Sequence, residues 1–330
     1  MKAIVTTRYG PPEVLELLEV PTPAPADDEV LVEVHAAALN PLDSYVMRGP
    51  VSFFPLLNKR FKPKHSIMGA DVAGRVVAVG KDITRFSVGD EVFGGSFGKR
   101  GMGGFAEYVC PLETSLALKP VNASSEEAAA VPVAALTALQ GLRDKGGIKA
   151  GHKVLIDGSS GGVGTFSVQI AKSFGAEVTA VCSAGKMEMS RSLGADHVID
   201  YAREDFTRSG VLYDLIVGAN AHHSVFSYMR VLSRDGIFVA VGGNIPKLLQ
   251  AMALAPVISR MGSKKVRFFI AKINVGDLEY LKGLIEAGKV VPVIDRTYPL
   301  SEVAEAMRYR ELGHASGKVV IRVGDSGGSV

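Results

Sequence analysis

The hydrophobic and polar positions of the chain follow different patterns in its two halves. Val30, Val32 and Val34 alternate with Leu31, Glu33 and His35, which predicts a half-buried strand in a β-rich first half. From residue 154 onward, short apolar runs alternate with helix-like segments. That alternation is typical of a parallel sheet with crossover helices, so the second half is predicted to be doubly wound α/β.

Individual elements follow from the same patterns. Strands are predicted at 154–156, Glu177–Cys182, His197–Asp200, Tyr213–Gly218 and 237–241. Ser124 and Glu127 have capping-box spacing, which places a helix start there and the beginning of a nucleotide-binding domain near residue 120. The segment DLEYLKGLIEAGKV predicts a helix that ends at Gly288, and HASGKVVIRV predicts a strand that returns to the N-terminal domain.

The segment VLIDGSSGGVG joins an apolar strand to a helix start through a glycine-rich turn. Gly161, Gly162 and Gly164 let backbone amides approach a pyrophosphate, whose charge the helix N-terminus favours. Ser159 stands at the first glycine position of the G-x-G-x-x-G pattern, so the motif is only partly met. The next predicted strand completes a βαβ unit and indicates a dinucleotide site. The alternative is a structural turn that binds nothing.

The residues after the second strand favour one nicotinamide cofactor. An NAD site carries Asp or Glu there for the ribose 2′-hydroxyl, whereas this chain has CSAGK at 182–186. Ser183 can hydrogen-bond a 2′-phosphate and Lys186 can neutralise it, so NADPH is the predicted cofactor. The alternative for Lys186 is an ordinary solvated lysine.

Composition narrows the class of protein. The 330 residues, 47% hydrophobic and 22% charged, can bury at least one large core. A net charge of +3 without a basic run gives no indication of nucleic-acid or membrane binding. Cys110 and Cys182 lie far apart and predict no disulfide framework. With no apolar run of transmembrane length, we expect a soluble, cytoplasmic protein.

Motifs along nearly the whole chain resemble the medium-chain dehydrogenase/reductase superfamily, in its zinc-free quinone and enone oxidoreductase branch. They are, in the family's order, ALNPLDSYVMRG, IMGADVAGRVVAVG, FSVGDEVFG, GGFAEYV, AAVPVAALTALQGL, VLIDGSSGGVG, RSLGADHVIDY and GHASGKVVI. The resemblance implies an α/β fold with a GroES-like β-rich catalytic domain, built from both chain ends, and a Rossmann doubly wound parallel sheet. We expect the catalytic domain at 1–120, the Rossmann NADPH-binding domain at 121–265, a return to the catalytic domain at 266–323 and a flexible tail at 324–330.

The zinc-binding relatives differ from this chain at their metal ligands. Zinc alcohol dehydrogenases carry Cys where Asn40 stands and His where Ala70 stands. With two cysteines in the chain, neither the four-cysteine structural site nor the catalytic site of that branch can be built, so no metal is predicted. The adjacent His222 and His223 are interpreted as a loop or helix-start pair.

A missing metal restricts the chemistry. Oxidation of an unactivated alcohol favours a Lewis acid that stabilises the alkoxide, whereas hydride transfer to a conjugated enone or quinone places charge on a delocalised oxyanion. Hydrogen-bond donors can stabilise that anion and a solvent proton completes the reduction. The leading hypothesis is therefore an NADPH-dependent reductase of quinones or α,β-unsaturated carbonyls. The alternative is a catalytically idle NADPH-binding sensor or crystallin-like protein.

The resemblance also implies catalytic-domain site residues. Asn40, Tyr45 and Thr137 match positions that line the nicotinamide and substrate pocket. Their alternative roles are a turn cap, a core-edge tyrosine and a buried helix threonine. Asp71 replaces the family's common Glu, and it either orients its neighbours or is structural. The loop at 94–104 either covers the pocket or is a mobile connection.

Further matches concern the cofactor. Tyr201 matches a tyrosine near the adenosine phosphate, and its alternative is a strand-end aromatic. Gly242 and Gly243 match backbone at the nicotinamide end, and their alternative is a role as core and interface residues. The predicted cofactor-binding residues are Ser160, Gly161, Gly162, Val163, Ser183, Lys186, Tyr201, Gly242, Gly243 and Phe269. Family members sometimes carry a 2′-phosphate arginine where this chain has 313–314. The resemblance also suggests a homodimer through the edge strand near 237–241.

Overall fold

The computed structural model describes residues 1–49, 63 and 67–324, and it confirms the predicted α/β fold class. The chain forms two compact units. The first comprises Met1–Val133, Ile273–Glu286 and Pro292–Val330, and the second comprises Ala134–Lys272 and Ala287–Val291. Apart from Gly324, the predicted flexible tail lies outside the described residues.

The first unit is β-rich. Its strands are β1 (Lys2–Val5), β2 (Glu16–Glu19), β3 (Val30–Ala38), β4 (Asp71–Val79), β5 (Glu91–Gly95), β6 (Tyr108–Val109), β7 (Leu116–Leu118), β14 (Ile294–Pro299) and β15 (Lys318–Arg322). Across the described residues, β1 and β2 form a hairpin. The others form a seven-stranded sheet in the order β14-β15-β3-β4-β5-β7, with β6 also paired to β3.

Alternation of side chains explains the central strand. Val30, Val32 and Val34 of β3 all face the core of the first unit, where they are buried, while the residues between them are partly exposed. On its two sides β3 pairs antiparallel with β4 and, through Val320 opposite Ala38, with β15. The C-terminal strand therefore lies in the sheet of the N-terminal segment.

Helices of the first unit connect or cover these strands. They are α1 (Pro41–Arg48), α2 (Ser125–Ala129), α8 (Val275–Glu286) and α9 (Val303–Glu311). The capping box that the sequence predicts is present, because Ser124 Oγ accepts from Glu127 N at 3.1 Å and Glu127 accepts from Ser124 N at 2.8 Å. The helix predicted to end at Gly288 ends at Glu286.

Helix α2 also shows why the limit of the first unit differs from the predicted 120/121 boundary. The helix packs against β3, β4 and β5, so it belongs to the β-rich unit. Its capping box marks a helix start but does not mark the change of domain. The long segment of the second unit ends at 272, not at the predicted 265/266 boundary. A short segment at 287–291 also belongs to this unit.

The second unit contains a parallel sheet. Its strands are β8 (Lys153–Asp157), β9 (Glu177–Cys182), β10 (His197–Asp200), β11 (Tyr213–Gly218), β12 (Leu232–Ala240) and β13 (Lys265–Phe268). Within the described residues they lie in the order β10-β9-β8-β11-β12-β13, and every neighbouring pair is parallel. The helices are α3 (Pro132–Gln140), which starts in the first unit, α4 (Gly162–Ser173), α5 (Met187–Ser192), α6 (Val225–Arg230) and α7 (Ile245–Met261).

The strand predicted at 237–241 is not an edge strand. It is part of β12, which pairs with β11 on one side and with β13 on the other. The edge strand on this side of the sheet is β13, with the short sequence KVRF. Its charged residues interrupt the apolar run that identified the other strands, so the hydrophobic pattern missed it.

Among residues 1–49, 63 and 67–324, no helix is both long enough and apolar enough to span a membrane.

Candidate active site

The carboxyl ends of the parallel strands bring the predicted cofactor residues to one edge of the sheet. Strand order reverses between β8 and β11, and open parallel sheets bind nucleotides beside such a reversal, at the carboxyl ends of the strands. The segments that follow β8, β9, β10, β12 and β13 contain, respectively, Ser160–Gly161–Gly162–Val163, Ser183 with Lys186, Tyr201, Gly242–Gly243 and Phe269.

The turn after β8 has glycine where a side chain would not fit. Gly158 has a φ of +85°, and a Cβ there would lie 2.5 Å from Asn220 Cβ. A Cβ on Gly164 would lie 2.1 Å from Gly158 O, so this glycine lets the first turn of α4 pack against the loop. A Cβ on Gly161 would meet nothing closer than 3.8 Å, which leaves open space beside the backbone. The turn thus permits the close backbone approach that a pyrophosphate requires.

Helix α4 starts at this turn without a side-chain cap and without an acidic residue in its first turn. An uncapped N-terminus presents backbone N–H donors, and the helix dipole adds partial positive charge. The helix runs for 12 residues, so the dipole is well developed. These features fit the phosphates of a dinucleotide.

Ser159, which departs from the glycine fingerprint, points into the protein. Its side chain is fully buried, donates to Val181 O at 3.2 Å and lies 3.0 Å from Ser190 Oγ. These contacts connect the turn to the end of β9 and to α5. The serine therefore strengthens the turn without placing a side chain at its surface.

The segments after β9 and β10 carry the groups predicted for a 2′-phosphate. Ser183 and Lys186 are partly exposed, and Tyr201 is 62% exposed. Because Asp200 lies opposite Cys182 in the parallel register, the two segments start side by side. Arg203, which the sequence reasoning did not select, adds a mostly exposed guanidinium here.

The segments after β12 and β13 contain the residues predicted for the nicotinamide end. Gly243 forms a parallel bridge with Ala221, whose N–H donates to Gly242 O at 3.0 Å. Phe269 is partly exposed, and the Lys145 ammonium lies 5.8 Å from the centre of its ring. This geometry gives each residue a defined place at the carboxyl edge of the sheet.

A buried acid ends β8 directly before the glycine turn. Asp157 Oδ2 accepts a hydrogen bond of 2.5 Å from the Tyr228 hydroxyl, and the Tyr228 ring stacks on Phe238 at 4.1 Å. The backbone oxygen of Asp157 accepts from Ala219 N at 2.9 Å and Asn220 N at 3.0 Å. Burial raises the pKa of Asp157 to about 6, against the opposing effect of the Tyr228 hydrogen bond. Asp157 therefore fixes the turn to both α6 and the end of β11.

In the first unit, Asn40 is buried and bonded to protein groups. Its Oδ1 accepts from Lys318 Nζ at 2.7 Å, and its Nδ2 donates to Asp71 Oδ2 at 2.9 Å and to Ala38 O at 3.3 Å. Asn40 is also the N-cap residue of α1. Lys318 completes the cluster with an ion pair of 3.1 Å to Asp71.

Asp43 lies beside this cluster, in the first turn of α1. Its Oδ2 accepts from Asn40 N at 2.7 Å, while its buried Oδ1 has no hydrogen-bond partner within the described part of the chain. Burial and, less strongly, the negative charge of Asp71 raise the pKa of Asp43 to about 7. The start of α1 therefore carries a carboxyl group that ionises near neutral pH.

The other two predicted catalytic residues are more accessible than Asn40. Tyr45 lies in α1 with 48% of its surface exposed, and Thr137 lies in α3, partly exposed. Their contact with a substrate remains a prediction, as does that of Asn40.

The segment at 94–104 is bonded to its own unit at several points. Gly98 and Gly101 exchange backbone hydrogen bonds of 2.9 and 3.0 Å, and Gly104 N donates to Gly69 O at 2.9 Å. A cavity of about 420 Å³ lies beside this segment, with Val5, Val20 and Met102 among its lining residues. It contains none of the predicted site residues, and a covering role for the segment remains a prediction.

The sequence reasoning missed Lys318 and Asp157. Lys318 stands in the quoted GHASGKVVI motif, but a lysine that starts a terminal strand looks like a solvated end residue. Asp157 could have been identified from the sequence, because an acid at the end of an otherwise apolar strand indicates a buried polar group with a partner.

Comparison with known proteins gives two family matches. Residues 26–121 match the alcohol dehydrogenase GroES-like domain. Residues 193–321 match a family described as zinc-binding dehydrogenase.

Full-length relatives are also similar. The chain is 35% identical over 317 residues to the chloroplast envelope quinone oxidoreductase homolog of Arabidopsis thaliana, covering 93% of each protein. It is 36% identical to the chloroplastic NADPH-dependent alkenal/one oxidoreductase of the same plant, covering 97% of this chain and 79% of the relative. The structure of the quinone oxidoreductase from Coxiella burnetii superposes with a TM-score of 0.86 at 31% identity, covering 98% of this chain and 99% of that one.

The described residues do not fit the zinc ion that one family description implies. The amide of Asn40 is bonded to Lys318 and Asp71, and Ala70 has no donor atom. Within the described ranges, no three His, Cys, Asp or Glu side chains lie close enough to hold a metal. The described residues therefore offer no zinc site on which a catalytic step could depend.

The buried carboxyl of Asp157 yields a prediction for the dependence of stability on pH. Its pKa is raised from 3.8 to about 6 in the folded protein, so the folded state binds this proton more tightly than the unfolded state. The free energy of unfolding should fall as pH rises from about 4 to about 6, by about 3 kcal/mol for this group. Asp157→Asn should remove that part of the fall, measured by denaturant unfolding at several pH values.

Tyr228→Phe is a control that should enlarge the pH dependence, whereas Asp157→Asn should reduce it. Without the Tyr228 hydroxyl, the pKa of Asp157 should rise further and the fall in stability should extend to higher pH. The Asp43 contribution, with a pKa of about 7, should persist in both variants. Identical pH profiles for wild type and Asp157→Asn would contradict the assignment.

Proposed function

Because the chain belongs to the medium-chain dehydrogenase/reductase superfamily, we propose that it is an NADPH-dependent, zinc-independent oxidoreductase of quinones or α,β-unsaturated carbonyls. The observation that carries the proposal is the uncapped N-terminus of α4 behind the glycine turn, at the reversal of strand order. The names of full-length relatives, a quinone oxidoreductase homolog and an NADPH-dependent alkenal/one oxidoreductase, support the substrate class.

When bound, NADPH supplies the hydride. The amides at the start of α4 bind its pyrophosphate, and Ser183, Lys186 and Tyr201 bind the adenosine end with its 2′-phosphate. The backbone at 242–243 and the ring of Phe269 orient the nicotinamide. The choice of NADPH over NADH rests on the cation of Lys186 and the absence of an acidic residue from 182–186.

The acceptor must tolerate the charge that hydride transfer creates. Addition of hydride to the β-carbon of an enone, or to a quinone, leaves an oxyanion that is delocalised, so a hydrogen-bond donor suffices to stabilise it. We assign that donor to the Tyr45 hydroxyl, because Tyr45 is exposed whereas the amide of Asn40 is occupied by protein partners. Solvent then supplies the proton.

Turnover by chelator-treated protein tests the proposal. NADPH consumption should be about a hundredfold faster with a quinone or enone than with the matched saturated ketone, because the saturated alkoxide is not delocalised. Chelation should leave the rate unchanged. Equal rates on saturated carbonyls would contradict the substrate class. Tight NADPH binding without turnover on any acceptor would favour an idle sensor or crystallin-like protein instead.

Lys186→Asp tests the cofactor assignment. Loss of a charge-assisted contact with the 2′-phosphate should raise the Kd of NADPH by about ten- to a hundredfold. The Kd of NADH should change little, and fluorescence titration measures both. Lys289→Asp, at an exposed lysine of the same unit, makes the same charge change and should leave both values unaltered. An unchanged Kd for NADPH in Lys186→Asp would refute the phosphate contact.

We further propose a cytoplasmic homodimer. The location agrees with two free, buried cysteines. The dimer is proposed to form through β13, because its outer edge has no paired strand within the described residues and Phe268 and Ile270 nearby are exposed.

Ile270→Glu should weaken that dimer, because it introduces charge at a residue that is 81% exposed beside the edge strand. Light scattering after size-exclusion chromatography should show a lower mass at low protein concentration. Val121→Glu, which changes an 86% exposed residue of the first unit, should leave the mass unchanged. A monomeric wild type would overturn the assembly.

A further inference from the structure

A lysine is buried in the seven-stranded sheet of the first unit. Lys318 begins β15 with 3% of its side chain exposed, and Asp71 begins β4 with none exposed. Both strands pair with β3, whose end leads into Asn40. Three neighbouring strands therefore place an ammonium, a carboxylate and an amide at one point.

The Lys318 ammonium has one acceptor for each of its N–H groups. It donates to Leu39 O at 3.0 Å, to Asn40 Oδ1 at 2.7 Å and to Asp71 Oδ2 at 3.1 Å. Since an ammonium carries three donors, this arrangement uses all of them. The ammonium therefore has no N–H group left for a hydrogen bond to a substrate.

The ammonium determines which way the Asn40 amide faces. Because an ammonium can only donate, Oδ1 must face Lys318, and Nδ2 then faces Asp71 Oδ2. Asn40 is the N-cap of α1, and its backbone N–H donates to Asp43. The start of the helix that carries Tyr45 is thus held in one arrangement.

Asp71 extends this effect to a second helix. Its Oδ2 is shared by Lys318 and Asn40, which leaves Oδ1 to accept from Val133 N at 2.9 Å, in the first turn of α3. A buried carboxylate without a cation is costly, so loss of the ammonium favours a reorientation of the Asp71 side chain. Both helix starts then lose a fixed partner.

We infer that Lys318 is a positioning residue for the reduction, acting through Asn40 and Asp71 on the starts of α1 and α3. The inference rests on the proposed function. The competing explanation is an ion pair that only stabilises the fold. The two explanations differ when both charges are removed, because a buried ion pair can often be replaced by neutral residues without loss of stability.

Two variants separate stability from turnover. Lys318→Met alone should be destabilised, since it leaves Asp71 without its cation. The double variant Lys318→Met/Asp71→Asn should recover most of the thermal stability. Its kcat with a quinone should stay about tenfold or more below wild type, because small displacements of reacting groups are enough to slow hydride transfer. The Kd of NADPH should remain close to the wild-type value.

Amide hydrogen exchange supplies a readout that does not depend on turnover. In the double variant, the amides of Asn40, of 42–45 and of Val133 should exchange faster than in wild type, while those of the parallel sheet should not change. Lys119→Met is the matched control. Lys119 is a partly buried lysine of the same unit, bonded to Ala123 O at 2.6 Å, and its loss should alter neither kcat nor these amides.

Lys318→Arg provides a second test of the inference if the double variant fails to fold. The planar guanidinium retains the charge but does not match three acceptors that converge on one ammonium, so kcat should fall while the protein stays folded. Wild-type kcat and exchange in the double variant, or in Lys318→Arg when the double does not fold, would overturn the inference. A wild type that binds NADPH but reduces no acceptor refutes the proposed function, and the exchange data then still decide whether Lys318 fixes the helix starts.

Discussion

The reversal of strand order between β8 and β11 is the constraint on which the nucleotide half of this protein depends. In a parallel sheet all carboxyl ends lie at one edge, and a reversal separates the two adjoining connections so that a ligand has room between them. Residues as distant in sequence as Gly161 and Phe269 reach the same edge for this reason alone. The glycine turn, the inward Ser159 and the Asp157–Tyr228 bond then shape the segment next to the reversal.

The β-rich unit depends on a different constraint, because its sheet contains buried polar groups that need hydrogen-bond partners. Asn40, Asp71 and Lys318 are nearly inaccessible, yet the ammonium is fully satisfied by Asn40, Asp71 and the backbone oxygen of Leu39. Such a cluster adds little net stability, because desolvation of the charges offsets their attraction. Its main physical effect is to permit one arrangement of the neighbouring backbone and to disfavour others.

The sequence allowed the fold class and five of the six described strands of the parallel sheet to be predicted, because continuous apolar runs and a glycine turn depend on local pattern. In the β-rich unit the same pattern identified β3 and β15 but not the other described strands. The pattern failed at β13, where Lys265 and Arg267 interrupt a strand that is held by its neighbour β12. It also could not show that Lys318 is buried, since this depends on pairing with β3, far away in sequence. The catalytic-domain candidates were selected by resemblance, and the hydrogen-bond partners of the Asn40 amide could not be read from the sequence.

The composition of β13 has a consequence for solubility. An exposed sheet edge can add strands from other molecules without limit and so start aggregation. Here the edge is four residues long and includes two basic residues, Lys265 and Arg267. The short register allows few hydrogen bonds between strands and so disfavours open-ended stacking, whereas one partner strand can still pair in the proposed dimer.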